Sequence, residues 1–211
     1  MMLGMTAGGL RERKKQQMRQ HISAVATRLF QERGFEAVTV AEIAEAADVS
    51  KMTVFNYFPR KEDLYLDRTP QLRELLLAAV RERAAGEAPV AALRRAVAGL
   101  AADGHPLIGA VPGIQTFLQV VRDSPALAAR WREVDEQIVT ALAAELAAAD
   151  GRAEASLRDE YTAAAVLRIR NLVLEEAVRR IASGTEAAVA RAELAAVAEE
   201  LFALLERGVR E

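Results

Sequence analysis

The sequence predicts an all-α protein of about nine helices. Of its 211 residues 44 are alanine, 52% are hydrophobic and 5% are aromatic. Alanine and leucine are strong helix formers, whereas the aromatic and β-branched residues typical of strands are sparse. Apolar residues recur at helical spacing along most of the chain, and glycine or proline separates one stripe from the next. The composition, the helical spacing of apolar residues and the positions of glycine and proline therefore all indicate helices.

The first two helices are bounded by local signals. A stripe of apolar residues predicts a helix over residues 13–33, and Gly34 ends it. The second helix covers residues 40–47 and follows a capping box formed by Thr39 and Glu42. In such a box each side chain accepts a hydrogen bond from a backbone N–H at the other end of the first turn.

The third and fourth helices lie on either side of Pro59. Ser50 is a suitable N-cap for the third helix, which ends near Phe58. The fourth helix begins near Lys61 and should be kinked or interrupted at Pro70, because proline lacks the amide that a helix interior needs. This fourth helix links the short helices before it to the longer, alanine-rich helices that follow.

Beyond Gly86 the chain turns to longer, alanine-rich helices. Ser124 and Pro125 read as an N-cap followed by proline at the first helical position, and glycines stand where these helices should stop. The predicted helices cover residues 88–103, 112–122, 125–149, 157–182 and 186–207.

Charge and rare residues restrict the function. The chain has no cysteine and two histidines, which excludes disulfides and Cys-ligated zinc and favours the cytoplasm. It has no apolar run of membrane-spanning length. The net charge is −2, yet residues 1–33 carry seven basic and two acidic side chains, a bias that chance in an arginine-rich chain could also produce. Residues 1–12 are expected to form a disordered basic tail.

Residues 39–61 have the pattern of a helix-turn-helix, in which two short helices cross at a tight turn. Ala44 is small enough for a close crossing, and Ile43 and Val54 can fill the core between the helices. Asp48 occupies the turn position that requires a left-handed backbone, which aspartate tolerates. A helical hairpin that merely packs is the alternative interpretation.

The second helix of this motif would lie in the major groove of DNA. Its exposed side would present lysine for guanine, asparagine for adenine and apolar groups for thymine methyls. Thr39 and Lys61 are better placed for phosphates, which position a protein without reading sequence. The residues predicted to contact DNA are Thr39, Ser50, Lys51, Met52, Thr53, Phe55, Asn56, Tyr57 and Lys61.

This segment resembles the DNA-binding domain of the tetracycline-repressor (TetR) family of bacterial regulators. The matching residues are Phe30, Gly34, Phe35, Thr39, Val40, Ile43, Ala44, Ala47, Val49, Ser50, Thr53, Phe58, Lys61 and Leu64. Two positions depart from the family pattern. Asp48 replaces the usual turn glycine, and Phe55 stands where tyrosine is common, so Tyr57 would have to supply the hydroxyl that contacts phosphate.

The resemblance implies a ligand-responsive transcriptional regulator, most simply a repressor that a small molecule releases from a palindromic operator. It also implies a homodimer formed through the last two helices. Val166, Ile169, Val173, Ala177 and Ile181 form an apolar stripe on one of them, which is either the dimer face or core within one chain. The implied parts are a tail over residues 1–12, a helix-turn-helix domain over 13–60, a linking helix over 61–84 and a ligand-binding and dimerisation domain over 85–211.

A ligand pocket needs apolar walls and a few orienting polar groups. Phe117 and Trp131 are the large apolar candidates, although an aromatic residue in such a stripe is more often core. Arg168, Asn171 and Glu175 share a helix face with Tyr161, and that face is either a pocket wall, a dimer rim or a solvated surface. The candidate ligand residues are Gln115, Phe117, Trp131, Tyr161, Arg168, Asn171 and Glu175.

An enzyme is disfavoured. The sequence has no G-x-S-x-G, no glycine-rich phosphate loop and no H-E-x-x-H, and its two histidines lie far apart. We therefore expect no catalytic residues, cofactor or metal. The alternative to a regulator is a helical binding or scaffold protein that has lost specific operator recognition.

Overall fold

In the computed structural model the described part of the chain is helical and contains no strand. The structure describes residues 7–210 and the side chains of residues 11–208. Its ten helices are α1 (Ala7–Arg33), α2 (Val40–Ala46), α3 (Lys51–Tyr57), α4 (Lys61–Tyr65), α5 (Thr69–Arg81), α6 (Pro89–Ala102), α7 (Ile114–Asp123), α8 (Pro125–Ala149), α9 (Leu157–Ala182) and α10 (Ala187–Arg210). Within the described range, none of these helices has the length and hydropathy needed to cross a membrane.

The predicted helices after residue 84 match the observed ones to within three residues at each end, and α8 and α9 have the predicted bounds. The start of α1 differs. The expected disordered tail over residues 1–12 is wrong for residues 7–12, which are helical, while residues 1–6 lie outside the described residues. Leucine, arginine, glutamate, lysine and glutamine follow Gly9, and these strong helix formers extend the helix towards the N-terminus.

The linking segment is two helices rather than one. α4 ends at Tyr65 and α5 begins at Thr69, so the predicted interruption near Pro70 is confirmed. Pro70 lies in the first turn of α5, where its missing amide costs no intrahelical hydrogen bond. This break explains why the described chain has ten helices where about nine were predicted.

The chain divides into two compact units. The first contains the chain up to Asp67 together with residues 119–128. Phe30 lies at its centre, with the ring of Phe35 at 4.8 Å and that of Tyr65 at 5.7 Å. The buried side chains of this unit include Ile22, Ala26, Phe30, Phe35, Val38, Ile43, Ala44, Ala47, Val54, Phe58, Leu64 and Tyr65.

The second unit contains residues 68–118 and those from Ala129 onwards. In it α6 packs against α5 and α10, and α9 packs against α10. The stripe on α9 that was considered for dimerisation lies in the core of this unit: Val166 and Val173 are fully buried. The interpretation as core within one chain is therefore correct for that stripe, because neighbouring helices of the same chain cover it.

Candidate nucleic-acid interface and effector cluster

The N-terminus of α2 carries the predicted capping box. The Thr39 hydroxyl accepts a hydrogen bond from the Glu42 backbone N–H at 3.2 Å, and the Glu42 carboxylate accepts one from the Thr39 N–H at 2.8 Å. Arg33 donates to the same carboxylate at 2.7 Å. The Thr39 amide and then Arg33 lower the pKa of Glu42 to about 2. The cap therefore fixes the start of α2 and couples it to the end of α1.

The turn between α2 and α3 has the geometry that the motif requires. Asp48 has a positive φ of 53°, and no other non-glycine residue in the described range has a positive φ. Ala44 is 3% exposed, and Ile43 and Val54 are buried, as the helix-turn-helix pattern predicts. Val49 is half-buried. The left-handed turn thus brings α2 and α3 together over a small shared core.

Helix α3 exposes a face on which polar and apolar side chains lie together. Lys51, Met52, Phe55 and Asn56 are exposed, with Met52 at 69% and Phe55 at 47%. An exposed phenylalanine and methionine on one short helix are costly in water and are suited to contact with thymine methyl groups. Four of the predicted DNA-contacting side chains therefore share an open surface.

The remaining predicted residues of α3 are partly engaged within the domain. Ser50 caps the helix by accepting a hydrogen bond from the Thr53 N–H at 3.0 Å, and the two hydroxyls lie 2.8 Å apart. Thr53 and Tyr57 are half-buried. Because one hydroxyl of the Ser50–Thr53 pair donates to the other, only the accepting hydroxyl keeps its proton for a phosphate oxygen.

Arg19 holds the end of α3 and was missed as an individual residue by the sequence analysis. Its Nη1 donates to the Tyr57 carbonyl at 2.6 Å, and its guanidinium lies 4.2 Å from the Phe58 ring centroid. The signal was present, because Arg19 lies three residues before Ile22 on the buried face of α1. An arginine on the apolar face of a helix therefore indicates a hydrogen-bond partner elsewhere in the folded chain.

Lys61 has an internal role that the phosphate prediction did not anticipate. Its Nζ donates to the Phe35 carbonyl at 2.6 Å and lies 4.2 Å from the Phe35 ring centroid. Burial lowers the pKa of Lys61. The geometry favours a structural role, since a phosphate would have to compete with the bond to Phe35.

The turn between α7 and α8 belongs to the same unit. Ser124 is 2% exposed, caps α8 by accepting from the Leu127 N–H at 3.2 Å, and donates to the Glu36 carboxylate at 2.7 Å. The N-cap at Ser124 was predicted, but its bond to Glu36 depends on contacts that local sequence does not specify. Helix α7 thus begins in the second unit and ends in the first.

In the second unit, three of the predicted ligand residues lie in one cluster. The rings of Phe117 and Trp131 are 6.0 Å apart. Trp131 Nε1 donates to Asp135 at 3.1 Å, and Asn171 Nδ2 donates to the same carboxylate oxygen at 2.9 Å. Arg170, which the sequence analysis passed over in favour of Arg168, completes this cluster with its Cζ 5.3 Å from the Trp131 ring centroid.

Other predicted ligand residues lie elsewhere. Tyr161 is 64% exposed, and Arg168 forms an exposed ion pair with Glu175 at 3.1 Å. These three side chains do not line an enclosed site, because the face of α9 that carries them points to solvent in the protomer. Gln115 is half-buried on α7. Among the described side chains, no group of three or more His, Cys, Asp or Glu is arranged to hold a metal ion.

Comparison with known proteins agrees with this geometry. Residues 22–67 match the model of bacterial regulatory proteins of the tetR family. The chain is 35% identical over 148 residues to the HTH-type transcriptional regulator TcmR of Streptomyces glaucescens. This alignment covers 68% of this chain and 65% of TcmR. It is 34% identical over 86 residues to the regulator RutR of Escherichia coli, 41% of each chain. The chain thus spans less than two thirds of the length of these curated relatives.

A solved structure extends the likeness beyond the helix-turn-helix. FadR of Thermus thermophilus, a TetR-family transcriptional repressor crystallised with lauroyl-CoA, aligns with a TM-score of 0.50 at 28% identity. The alignment covers 90% of this chain and 94% of FadR. The similarity to FadR therefore includes the helices that follow α5.

Proposed function

We propose, since the chain belongs to the TetR family of bacterial regulatory proteins, that it is a ligand-responsive transcriptional repressor of the cytoplasm. As a homodimer it binds a palindromic operator, and a small-molecule effector releases it. The observation that carries this proposal is the exposed face of α3 on a correctly capped helix-turn-helix.

Helix α3 is the recognition helix in this proposal. Lys51 and Asn56 contact base edges, while Met52 and Phe55 contact thymine methyls in the major groove. Tyr57 and one hydroxyl of the Ser50–Thr53 pair hold phosphates, whereas the Thr39 hydroxyl already donates to the Glu42 carboxylate and acts by capping α2. Lys61 acts indirectly, by holding the segment before α2 through the Phe35 carbonyl.

The dimer forms through an exposed face of α9 and α10, distinct from the buried α9 stripe. Leu157 and Tyr161 on α9 are 83% and 64% exposed, and Val189 and Leu204 on α10 are 47% and 52% exposed. Large apolar side chains left exposed on two helices that pack against each other are typical of an interface. Sedimentation of Tyr161→Asp should give monomers where the wild type gives dimers; a monomeric wild type would refute this interface.

In this proposal α7 couples effector binding to DNA binding. Its first half packs with Leu174 of α9 in the cluster that contains Trp131, and the turn that follows it is bonded to Glu36. An effector can release DNA only if it binds one conformation of the protein more tightly than the other. A shift of α7 is a physical means for that difference to reach the helix-turn-helix unit.

Operator binding tests the proposal. The wild type should bind a duplex taken from upstream of its own coding sequence far more tightly than random duplex of equal length. Asn56→Ala and Lys51→Ala should each weaken that binding by about 1–3 kcal/mol and reduce its specificity. Arg28→Ala, which removes an exposed cation of α1, is the matched control.

Fluorescence anisotropy at fixed salt measures all four proteins, because non-specific affinity depends steeply on salt. Equal, weak affinity for both duplexes by a folded wild-type dimer would contradict the proposal. That result would instead support a helical scaffold protein without operator recognition.

A further inference from the structure

Arg170 is a buried cation whose hydrogen-bond partners are all neutral. It is 5% exposed. Its Nε and Nη2 donate to the Leu107 carbonyl at 3.2 Å and 2.7 Å, and its Nη1 donates to the Asn171 side-chain oxygen at 2.8 Å. Burial lowers the pKa of Arg170 to about 10, and Asp135 opposes that shift, so the group is protonated at neutral pH. A desolvated charge with neutral partners attracts an anion.

The guanidinium retains donors for such an anion. Arginine has five N–H groups, and the three hydrogen bonds leave one N–H on each terminal nitrogen. The nearby carboxylate of Asp135 is held by Trp131 Nε1 and Asn171 Nδ2, so the Asn171 amide stands between it and Arg170. The planar fork of Arg170 is therefore not already paired with a carboxylate, the partner that it fits best.

An apolar wall lies next to this cation. Trp131 and Phe117 are both half-buried, and with Ile114, Leu118 and Leu174 they form a small cluster distinct from the main core. Because Trp131 and Phe117 are only half-buried, part of their aromatic surface remains accessible to solvent. A flat aromatic group would cover these rings while an acidic group reached Arg170.

We propose that this cluster binds a small aromatic carboxylate, with the carboxylate on Arg170 and the ring against Trp131 and Phe117. The inference rests on the proposed function, in which such a compound is the effector. The carboxylate accepts from the two unused N–H groups, and because it is a stronger acceptor than a peptide carbonyl it draws the guanidinium away from Leu107 in competition with that carbonyl. Leu107 belongs to the segment that leads into α7, so this competition loosens the start of that helix.

Benzoate and benzamide form a matched pair of probes, because they share size and shape but differ in charge. Trp131 is the sole tryptophan of the chain, so its fluorescence reports directly on the site. Benzoate should change that fluorescence saturably, at millimolar concentration or below, and benzamide should bind about tenfold more weakly or worse. This comparison uses the wild-type dimer and does not depend on any variant folding.

Variants locate the effect. Arg170→Gln should abolish the preference for benzoate, Arg170→Lys should keep part of it, and Arg168→Gln should leave it unchanged because that exposed arginine lies outside the cluster. Equal binding of the two probes, no saturable response to benzoate, or loss of preference in Arg168→Gln but not in Arg170→Gln would each overturn the proposal.

Anisotropy with operator DNA on the same preparations separates the two proposals. Specific DNA binding without a benzoate response overturns the carboxylate site and leaves the regulator intact. A benzoate response that depends on Arg170, in a protein without specific DNA binding, refutes the regulator and leaves the site standing.

Discussion

At the scale of single residues, the helix-turn-helix depends on side chains that satisfy particular backbone groups. Thr39 and Ser50 cap α2 and α3, and Asp48 adopts the left-handed turn between them. Each of these roles is local in sequence, so each was predictable from residue type and spacing.

Replacing Asp48 by glycine should stabilise the protein. A left-handed backbone destabilises a residue with Cβ by about 1–2 kcal/mol, and glycine removes this strain. Glycine also loses more conformational freedom on folding, which offsets the gain by about 0.5–1 kcal/mol. We expect a gain of about 0.5–1 kcal/mol in the free energy of unfolding, measured by urea denaturation. Asp48→Ala, which keeps Cβ, should show no gain. A stabilised alanine variant would assign the effect to the lost charge instead.

Glu42 should give acid sensitivity to the DNA-binding unit. Its pKa in the folded protein is about 2, below the ordinary value of about 4.5. A depressed pKa means that the carboxylate stabilises the fold above about pH 4.5 and that this stabilisation is lost as the pH falls through about 2. Glu42→Gln should therefore be less stable at neutral pH and should lose part of the pH dependence in this window.

Thermal melting followed by circular dichroism across the window measures this effect. Glu45→Gln is the control, since Glu45 is exposed on the same helix and its carboxylate takes no part in the cap. If Glu42→Gln and the wild type lost stability in parallel between neutral pH and pH 2, the cap would not be the origin.

At the scale of elements, the position of α3 depends on contacts from distant parts of the chain. Arg19 reaches the last carbonyl of α3 from α1, and Lys61 reaches the Phe35 carbonyl from the start of α4. Helix bounds follow local patterns, so they were predicted closely. These partners are 38 and 26 residues apart in sequence, and only the folded arrangement brings them together.

Replacing Arg19 by alanine should destabilise the recognition helix. The substitution removes a partly buried, charge-assisted hydrogen bond to Tyr57, and we expect a loss of about 1.5–3 kcal/mol in unfolding free energy. Arg13→Ala removes an exposed arginine of the same helix and should change stability by less than about 0.5 kcal/mol. Urea denaturation distinguishes the two. Equal effects would mean that general charge, rather than the Tyr57 contact, is responsible.

At the scale of the whole molecule, sequence patterns specified which residues are apolar but not which chain covers them. The α9 stripe was compatible with a dimer face or with core, and the folded chain buries it internally. Arg170 lies in the same buried face as Val166 and Val173, so an arginine within an apolar stripe was the available signal for the cluster. Its neighbour Arg168 falls outside that stripe and is exposed.

In the proposed dimer, two copies of α3 read a symmetric DNA sequence. Selection from a random duplex library with the purified protein, followed by sequencing, tests this symmetric readout and needs no knowledge of the operator. We expect one enriched palindrome whose half-sites lie about 10 base pairs apart, centre to centre. Enrichment should disappear with Asn56→Ala at equal salt. A folded wild-type dimer that enriches no sequence, or only an asymmetric one, would refute readout by two copies of α3.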